Sequence, residues 1–163
     1  MDIAAAKAAL SHLDIDDNPA AIRAKSRDFF WYSPVLKDRL DHVTADFAVM
    51  PRNQDEVIEI LRTCHAHDVP VTMRGSGTGN YGQAMPLAGG CIMHMQNMNQ
   101  VLAIGPGRVT AQPGIVIREL DRITREDSGQ ELRMCPSTAG TATIGGFVCG
   151  GSGGVGSVRW GML

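Results

Sequence analysis

The residues 74–82 read Arg74-Gly75-Ser76-Gly77-Thr78-Gly79-Asn80-Tyr81-Gly82, with glycine at alternate positions directly after a β-like run. Alternate glycines let backbone N–H groups approach and converge on one point, as a phosphate requires and as side chains would obstruct. The spacing predicts an anion-binding loop. No Gly-Lys-Ser/Thr follows, so it is not a Walker loop, and G-x-G-x-G is a poor dinucleotide fingerprint. Gly82-Gln83-Ala84-Met85-Pro86-Leu87-Ala88-Gly89-Gly90 cannot readily supply the helix that a doubly wound nucleotide fold needs at this point. A second cluster, residues 135–154, adds hydroxyls to glycines. Ser137, Thr138, Thr141 and Thr143 could donate to phosphate or to ring carbonyls, and Gly145-Gly146 would permit close stacking of a flat ligand. Pro136, Ile144, Phe147 and Val148 interrupt the tract, which a flexible linker rarely shows. Although the chain holds 17 acidic residues, none lies between Asp68 and Glu119 and none follows Glu131. An acid-free surface around both clusters suits a phosphate-bearing ligand.

These loops need elements to carry them. Residues 3–13 are rich in helix formers and predict an N-terminal helix, stopped by Asn18-Pro19. Phe29, Phe30, Trp31 and Tyr32 read as an aromatic anchor packing the N-terminal arm onto the body in preference to a ligand platform, and no site is assigned to them. After a short strand at 47–50, Asn53 and Glu56 have capping-box spacing and open a helix whose stripe is Val57, Ile60, Leu61 and Cys64. The run 69–73 is then a strand, giving strand, helix, strand. His65 and His67, two residues apart on a helix, do not face one another and read as surface histidines rather than a metal pair. Residues 91–95, 101–104 and 109–112 predict a β-meander turned by Gly105-Pro106-Gly107. Pro113-Gly114 should open a helix through Ile117, Leu120 and Ile123 that ends near Gly129. The fold class is α+β.

The composition sets outer limits. A chain of 163 residues with 44% hydrophobic and 20% charged residues can build a core and is not intrinsically disordered. A net charge of −2 excludes a global grip on nucleic acid or on an anionic membrane. No apolar run approaches the ~20 residues that span a bilayer, and Met1 to Leu13 lack a secretory signal, so the expected location is cytoplasmic, or at the inner membrane through a partner. Cys64, Cys91, Cys135 and Cys149 never form C-x-x-C and read as buried free thiols, neither a zinc cage nor a disulfide framework.

Five ordered motifs then resemble one family. They are Pro51 with Glu56-Val57; Val69-Pro70-Val71 with Arg74-Gly75-Ser76-Gly77-Thr78-Gly79; Gln112-Pro113-Gly114; Pro136-Ser137-Thr138 with Thr143-Ile144-Gly145-Gly146; and Gly153-Gly154 with Arg159-Trp160-Gly161. Together they resemble the FAD-binding domain of the vanillyl-alcohol-oxidase (PCMH) type of flavoproteins, and within it the glycolate oxidase flavoprotein subunit and the D-lactate dehydrogenases. The resemblance implies a small N-terminal α/β subdomain followed by the start of a second mixed-sheet subdomain, with residues 1–44 as a helical arm and 45–163 as an incomplete FAD-binding domain. It implies that FAD pyrophosphate lies on the loop formed by Arg74, Gly75, Ser76, Gly77, Thr78, Gly79 and Asn80. The ribityl chain and ring would lie along Pro136, Ser137, Thr138, Thr141, Thr143, Ile144, Gly145, Gly146 and Gly150. Phe147 and the stretch Cys149-Gly150-Gly151-Ser152 depart from the family pattern. Thr78 and Ala142 stand near the places where covalent members carry His or Cys, so FAD should be non-covalent.

No catalytic constellation and no metal site stands out in residues 1–163, so the resemblance implies a fragment whose parent is the enzyme. That parent would oxidise a 2-hydroxy acid to the 2-oxo acid, with an unidentified electron acceptor, and could be a homo-oligomer or need a complementing C-terminal subunit. Another flavin reductase of the same fold, such as the flavin subunit of a molybdenum hydroxylase or UDP-N-acetylenolpyruvoylglucosamine reductase, is the enzymatic alternative. A non-catalytic nucleotide-binding or interaction module is the alternative from another class.

Overall fold

A computed structural model describes residues 1–163, which divide into two compact units, Met1–Asn97 and Met98–Leu163. The first is built on a four-stranded sheet of order β1-β2-β4-β3, formed by β1 (Ile15–Asp16), β2 (Phe47–Val49), β3 (Val71–Arg74) and β4 (Cys91–His94). Strands β2 and β3 flank β4 in parallel, with Phe47 and Val71 both opposite Cys91 and Arg74 opposite His94; β1 pairs antiparallel at the edge. Phe47, Ala48, Val49, Ile92 and Met93 are all fully buried. That continuous burial, without alternation, is what a parallel strand covered on both faces shows.

Helix α1 (Ile3–Ala9) is capped by Asp2, whose Oδ1 accepts from Ala5 N at 3.0 Å, and ends four residues earlier than its composition suggests. Tight turns at Ser11 and Leu13 and a bond from Met50 N to Asp14 O draw the chain into β1 instead. Asn18-Pro19 starts a helix rather than stopping one. In α2 (Pro19–Lys25), Pro19 occupies the first turn and Asn18 Oδ1 accepts from Ala20 N and Ala21 N. Proline is pre-organised for that position because its missing N–H has no helical partner there. A 3-10 turn (Phe30–Tyr32) and α3 (Pro34–Leu40) follow. Only Phe30 of the aromatic run is an anchor in the core.

Helix α4 (Gln54–Ala66) crosses from β2 to β3, as the spacing predicts, with Asn53 Oδ1 accepting from Glu56 N at 2.9 Å. Glu56 answers by accepting from Arg52 N at 2.9 Å and from the Asn53 side-chain amide, one residue away from the usual reciprocal bond. Ile60 and Cys64 are buried, whereas Leu61 is exposed, so the apolar stripe is narrower than its spacing suggests. Cys64 and Cys91 are buried, Cys135 is half-buried and Cys149 is exposed, so two of the four thiols depart from the expectation of burial.

In the second unit, β5 (Val101–Gly105) and β6 (Arg108–Ala111) form an antiparallel hairpin, with Gly107 at φ +69° in its turn. There is no three-stranded meander, because β4 belongs to the parallel sheet. Helix α5 (Ile117–Ser128) starts three residues after Gly114, since Gly114 N and Ile115 N are engaged in turn bonds to Met98 O and Gln112 O. It ends on Gly129 at φ +67°, the left-handed cap that glycine favours. The second glycine cluster is not loop throughout, for it contains α6 (Ile144–Cys149) and α7 (Ser157–Trp160). Ile117, Ala139, Ala142 and Phe147 form the core of this unit.

Candidate functional site

The first glycine loop leaves the end of β3 as the spacing predicts, and no helix follows it. Backbone N–H groups of residues 75–80 find no acceptor anywhere in the chain, whereas the next two are engaged: Tyr81 N donates to Gln83 Oε1 at 3.1 Å and Gly82 N to Asp28 Oδ2 at 2.9 Å. Gly77 adopts φ +69°, and a β-carbon there would lie 2.2 Å from Arg74 Nη2. The Arg74 side chain therefore folds back beneath its own loop, where Nη1 donates to Arg27 O at 2.6 Å. Burial lowers the Arg74 pKa and the charge of Asp28 raises it. No carboxylate comes within ion-pair distance of its guanidinium. A half-buried cation without a contact counterion, under six unused N–H groups, attracts an anion.

Opposite Arg74 across the β3–β4 ladder stands His94, whose Nδ1 is buried without a hydrogen-bond partner. Burial, then the charges of Arg74 and Lys25, push its pKa down to about 4, so the imidazole is neutral at physiological pH.

The surface around this loop is not free of acids, which corrects the expectation drawn from the acid-free stretch of sequence. Asp28 is buried beside residues 79–82, accepting from Phe30 N and Gly82 N, and Asp46 accepts from Gly90 N at 2.7 Å. Linear sequence hid both, since they arrive from 44 and more residues away. No local signal marks the burial of Asp28, which follows Arg27 at the polar edge of the aromatic run.

In the second unit, Pro136, Ser137 and Thr138 open a turn in which Thr138 O accepts from Thr141 N, Ala142 N and Thr141 Oγ1. Thr143 is buried and caps α6 by accepting from Gly146 N at 3.4 Å. Ser137 and Thr138 are thus left as the exposed, uncommitted hydroxyls of the four. Gly145 has a different reason from the expected stacking of a flat ligand: a β-carbon would lie 2.7 Å from Pro113 Cβ, and its N–H donates to Pro113 O. Ile144 N donates to Ile115 O, and Gly150 is the exposed C-cap of α6. No helix of the chain is long and apolar enough to cross a membrane.

Comparison with known proteins gives these loops a context. The sequence profile of the family described as FAD binding domain matches residues 45–163. The chain is similar to the glycolate oxidase subunit GlcD of Bacillus subtilis, 37% identical over 119 residues that cover 72% of this chain and 25% of that protein. It is similar to the D-lactate dehydrogenase of Archaeoglobus fulgidus, 32% identical over 116 residues, 71% of this chain and 26% of the relative. The chain therefore spans about a quarter of the length of these relatives. Among solved structures it is similar to an alkyldihydroxyacetonephosphate synthase, with TM-score 0.79 at 22% identity, covering 92% of this chain and 29% of that one. The grass pollen allergen Phl p 4 superposes with TM-score 0.75 at 18% identity, covering 96% of this chain and 33% of the allergen; at these identities the likeness is of fold.

Proposed function

The chain belongs to the FAD binding domain family of FAD-linked oxidoreductases, and from that premise we propose that it is the part of a 2-hydroxy acid dehydrogenase or oxidase that holds the cofactor. The observation that carries this reading is the run of six unused N–H groups at residues 75–80 above the Arg74 guanidinium. Those residues fit a pyrophosphate: the N–H groups supply directional donors, and Arg74 supplies charge from below. Ser137 and Thr138, with their free hydroxyls, would hold the ribityl chain or the ring edge. The chemistry the bound cofactor supplies is two-electron acceptance, a 2-hydroxy acid giving up hydride from its α-carbon and a proton from its hydroxyl to become the 2-oxo acid. The chain's own residues bind and orient. Thr78 and Ala142, which cannot form a bond to flavin of the His or Cys kind, support non-covalent attachment. Glycolate and D-lactate are the first substrates to try, because relatives named for them are 37% and 32% identical over 119 and 116 residues. The relative named a subunit supports a second polypeptide as partner.

The test uses the full-length protein. Purified, it should show flavin absorption bands, release FAD into the supernatant on acid precipitation, and reduce an artificial acceptor with a D- or L-2-hydroxy acid. Bound flavin with no turnover of any hydroxy acid would remove the substrate class, and absence of flavin after reconstitution would remove the cofactor assignment.

A further inference from the structure

Three aromatic rings stand in water on and directly after the loop-bracing residues 27–29, and a fourth, Phe30, anchors that segment in the core. Phe30 is fully buried, whereas Phe29, Trp31 and Tyr32 are 40%, 47% and 65% exposed. The exposed three are not scattered. Trp31 and Tyr32 have ring centroids 4.0 Å apart, Phe29 stacks on Tyr32 at 5.9 Å, and Phe29 meets Trp31 edge-on at 6.2 Å. A contiguous aromatic surface left in water costs hydrophobic free energy that burying it would recover, and such surfaces mark the seat of a ligand or partner.

Position selects the occupant. Three consecutive residues tie this platform to the loop: Arg27 O accepts from Arg74 Nη1 at 2.6 Å, Asp28 Oδ2 accepts from Gly82 N at 2.9 Å, and Phe29 N donates to Gly79 O at 2.8 Å. One bond reaches the cation below the loop and two reach its far side, so the platform and the N–H cradle are positioned together. A ligand that carries both an anionic centre for residues 75–80 and a flat ring for the platform braced against them satisfies both. That is a nucleoside diphosphate. Every base has a π-face, so a stacking platform needs no hydrogen-bonding edge to hold it.

We propose that Trp31 and Tyr32 stack the adenine ring of the dinucleotide, a proposal that rests on the reading of residues 75–80 as its pyrophosphate cradle. The probes are ADP and inorganic pyrophosphate, each competing with FAD for reconstitution of the full-length apoprotein. Trp31→Ala and Tyr32→Ala should weaken ADP roughly ten- to a hundredfold while leaving pyrophosphate within about twofold, and Trp31→Phe should restore most of the ADP affinity. Unchanged pyrophosphate competition also shows that the loop in these variants is folded. If pyrophosphate competes in the parent and fails in Gly77→Val, but Trp31→Ala and Tyr32→Ala bind ADP as the parent does, the platform assignment is overturned and the cradle stands. If pyrophosphate does not compete in the parent and Gly77→Val retains FAD, the cradle itself falls. Loss of self-association or of a bound subunit in Trp31→Ala, with ADP affinity intact, would give the rings to a protein partner and overturn the proposal.

Discussion

The guanidinium of Arg74 occupies the space that a β-carbon of Gly77 would need, 2.2 Å from Nη2 and 2.5 Å from Cζ. Glycine at the loop centre is required by the positive φ of +69°, and any side chain there would also displace the end of the flexible Arg74 side chain that supplies the charge beneath the loop. A side chain at Gly77 meets two penalties at once, the positive φ and the displaced cation. Gly77→Val should therefore lower FAD affinity by about two to four orders of magnitude, from the loss of two charge-assisted bonds at roughly 1.5–3 kcal/mol each. It should also lower the melting temperature. Thr78→Ala, which removes a hydroxyl only, should cost about tenfold or less in affinity. FAD titration and thermal unfolding of the full-length variants measure both effects; equal affinity in Gly77→Val and the parent would end the assignment of this loop.

Asp28 is the second constraint on the same loop. It satisfies Phe30 N and Gly82 N from inside the protein, and its charge favours the protonated Arg74 without forming an ion pair with it. Asp28→Ala leaves two donors unsatisfied and removes that favourable charge, and should destabilise by about 2–4 kcal/mol. Asp28→Asn, which keeps one acceptor oxygen, should cost less. Urea unfolding midpoints separate the two, and a neutral alanine variant would show that the loop does not depend on Asp28.

His94 gives the first unit a pH dependence of known sign. Its pKa is held at about 4 in the folded protein against 6.5 as its ordinary value. Above the ordinary value both states leave the ring neutral and His94 adds no pH dependence. As pH falls from there toward 4 the unfolded chain takes up a proton that the folded chain refuses, so stability declines across that window. His94→Gln cannot titrate. Its urea midpoint should stay flatter than the parent's over the same window, and parallel curves would remove His94 as the cause.

Two adjacent glycines in α6 should respond oppositely to the same methyl group. Gly145→Ala drives a β-carbon into Pro113 and should destabilise by about 1–3 kcal/mol. Gly146→Ala meets only Thr143 Oγ1, at 3.1 Å, and its helical position gains up to about 1 kcal/mol of propensity. Thermal melts of the pair test this: equal destabilisation would mean that contact with Pro113 does not decide the choice of glycine at position 145.

Local signals were readable where the deciding atoms lie within a few residues of one another. Asn53 and Glu56 announced α4, Gly129 announced the end of α5, and the 75–79 spacing announced a loop with free N–H groups. Asn18-Pro19 misled because the same pair can end one helix or begin the next, and the strand pairing of Ile15 with Val49, 34 residues away in sequence, decides between them. Gly145 misled for the same physical reason: the backbone it must approach belongs to Pro113. Charge was legible along the chain but not in space, so Asp28 could not be seen beneath Gly82.

The family-matched stretch begins at residue 45, yet β1 and the loop ties of Arg27, Asp28 and Phe29 come from before it. Grafting between relatives is therefore governed by where those bonds lie and not by where the similarity begins. A chimera joined at residue 45 would inherit a glycine loop from one parent and the three residues that brace it from another. A junction placed before α1 would keep the glycine loop and its three bracing residues from the same parent.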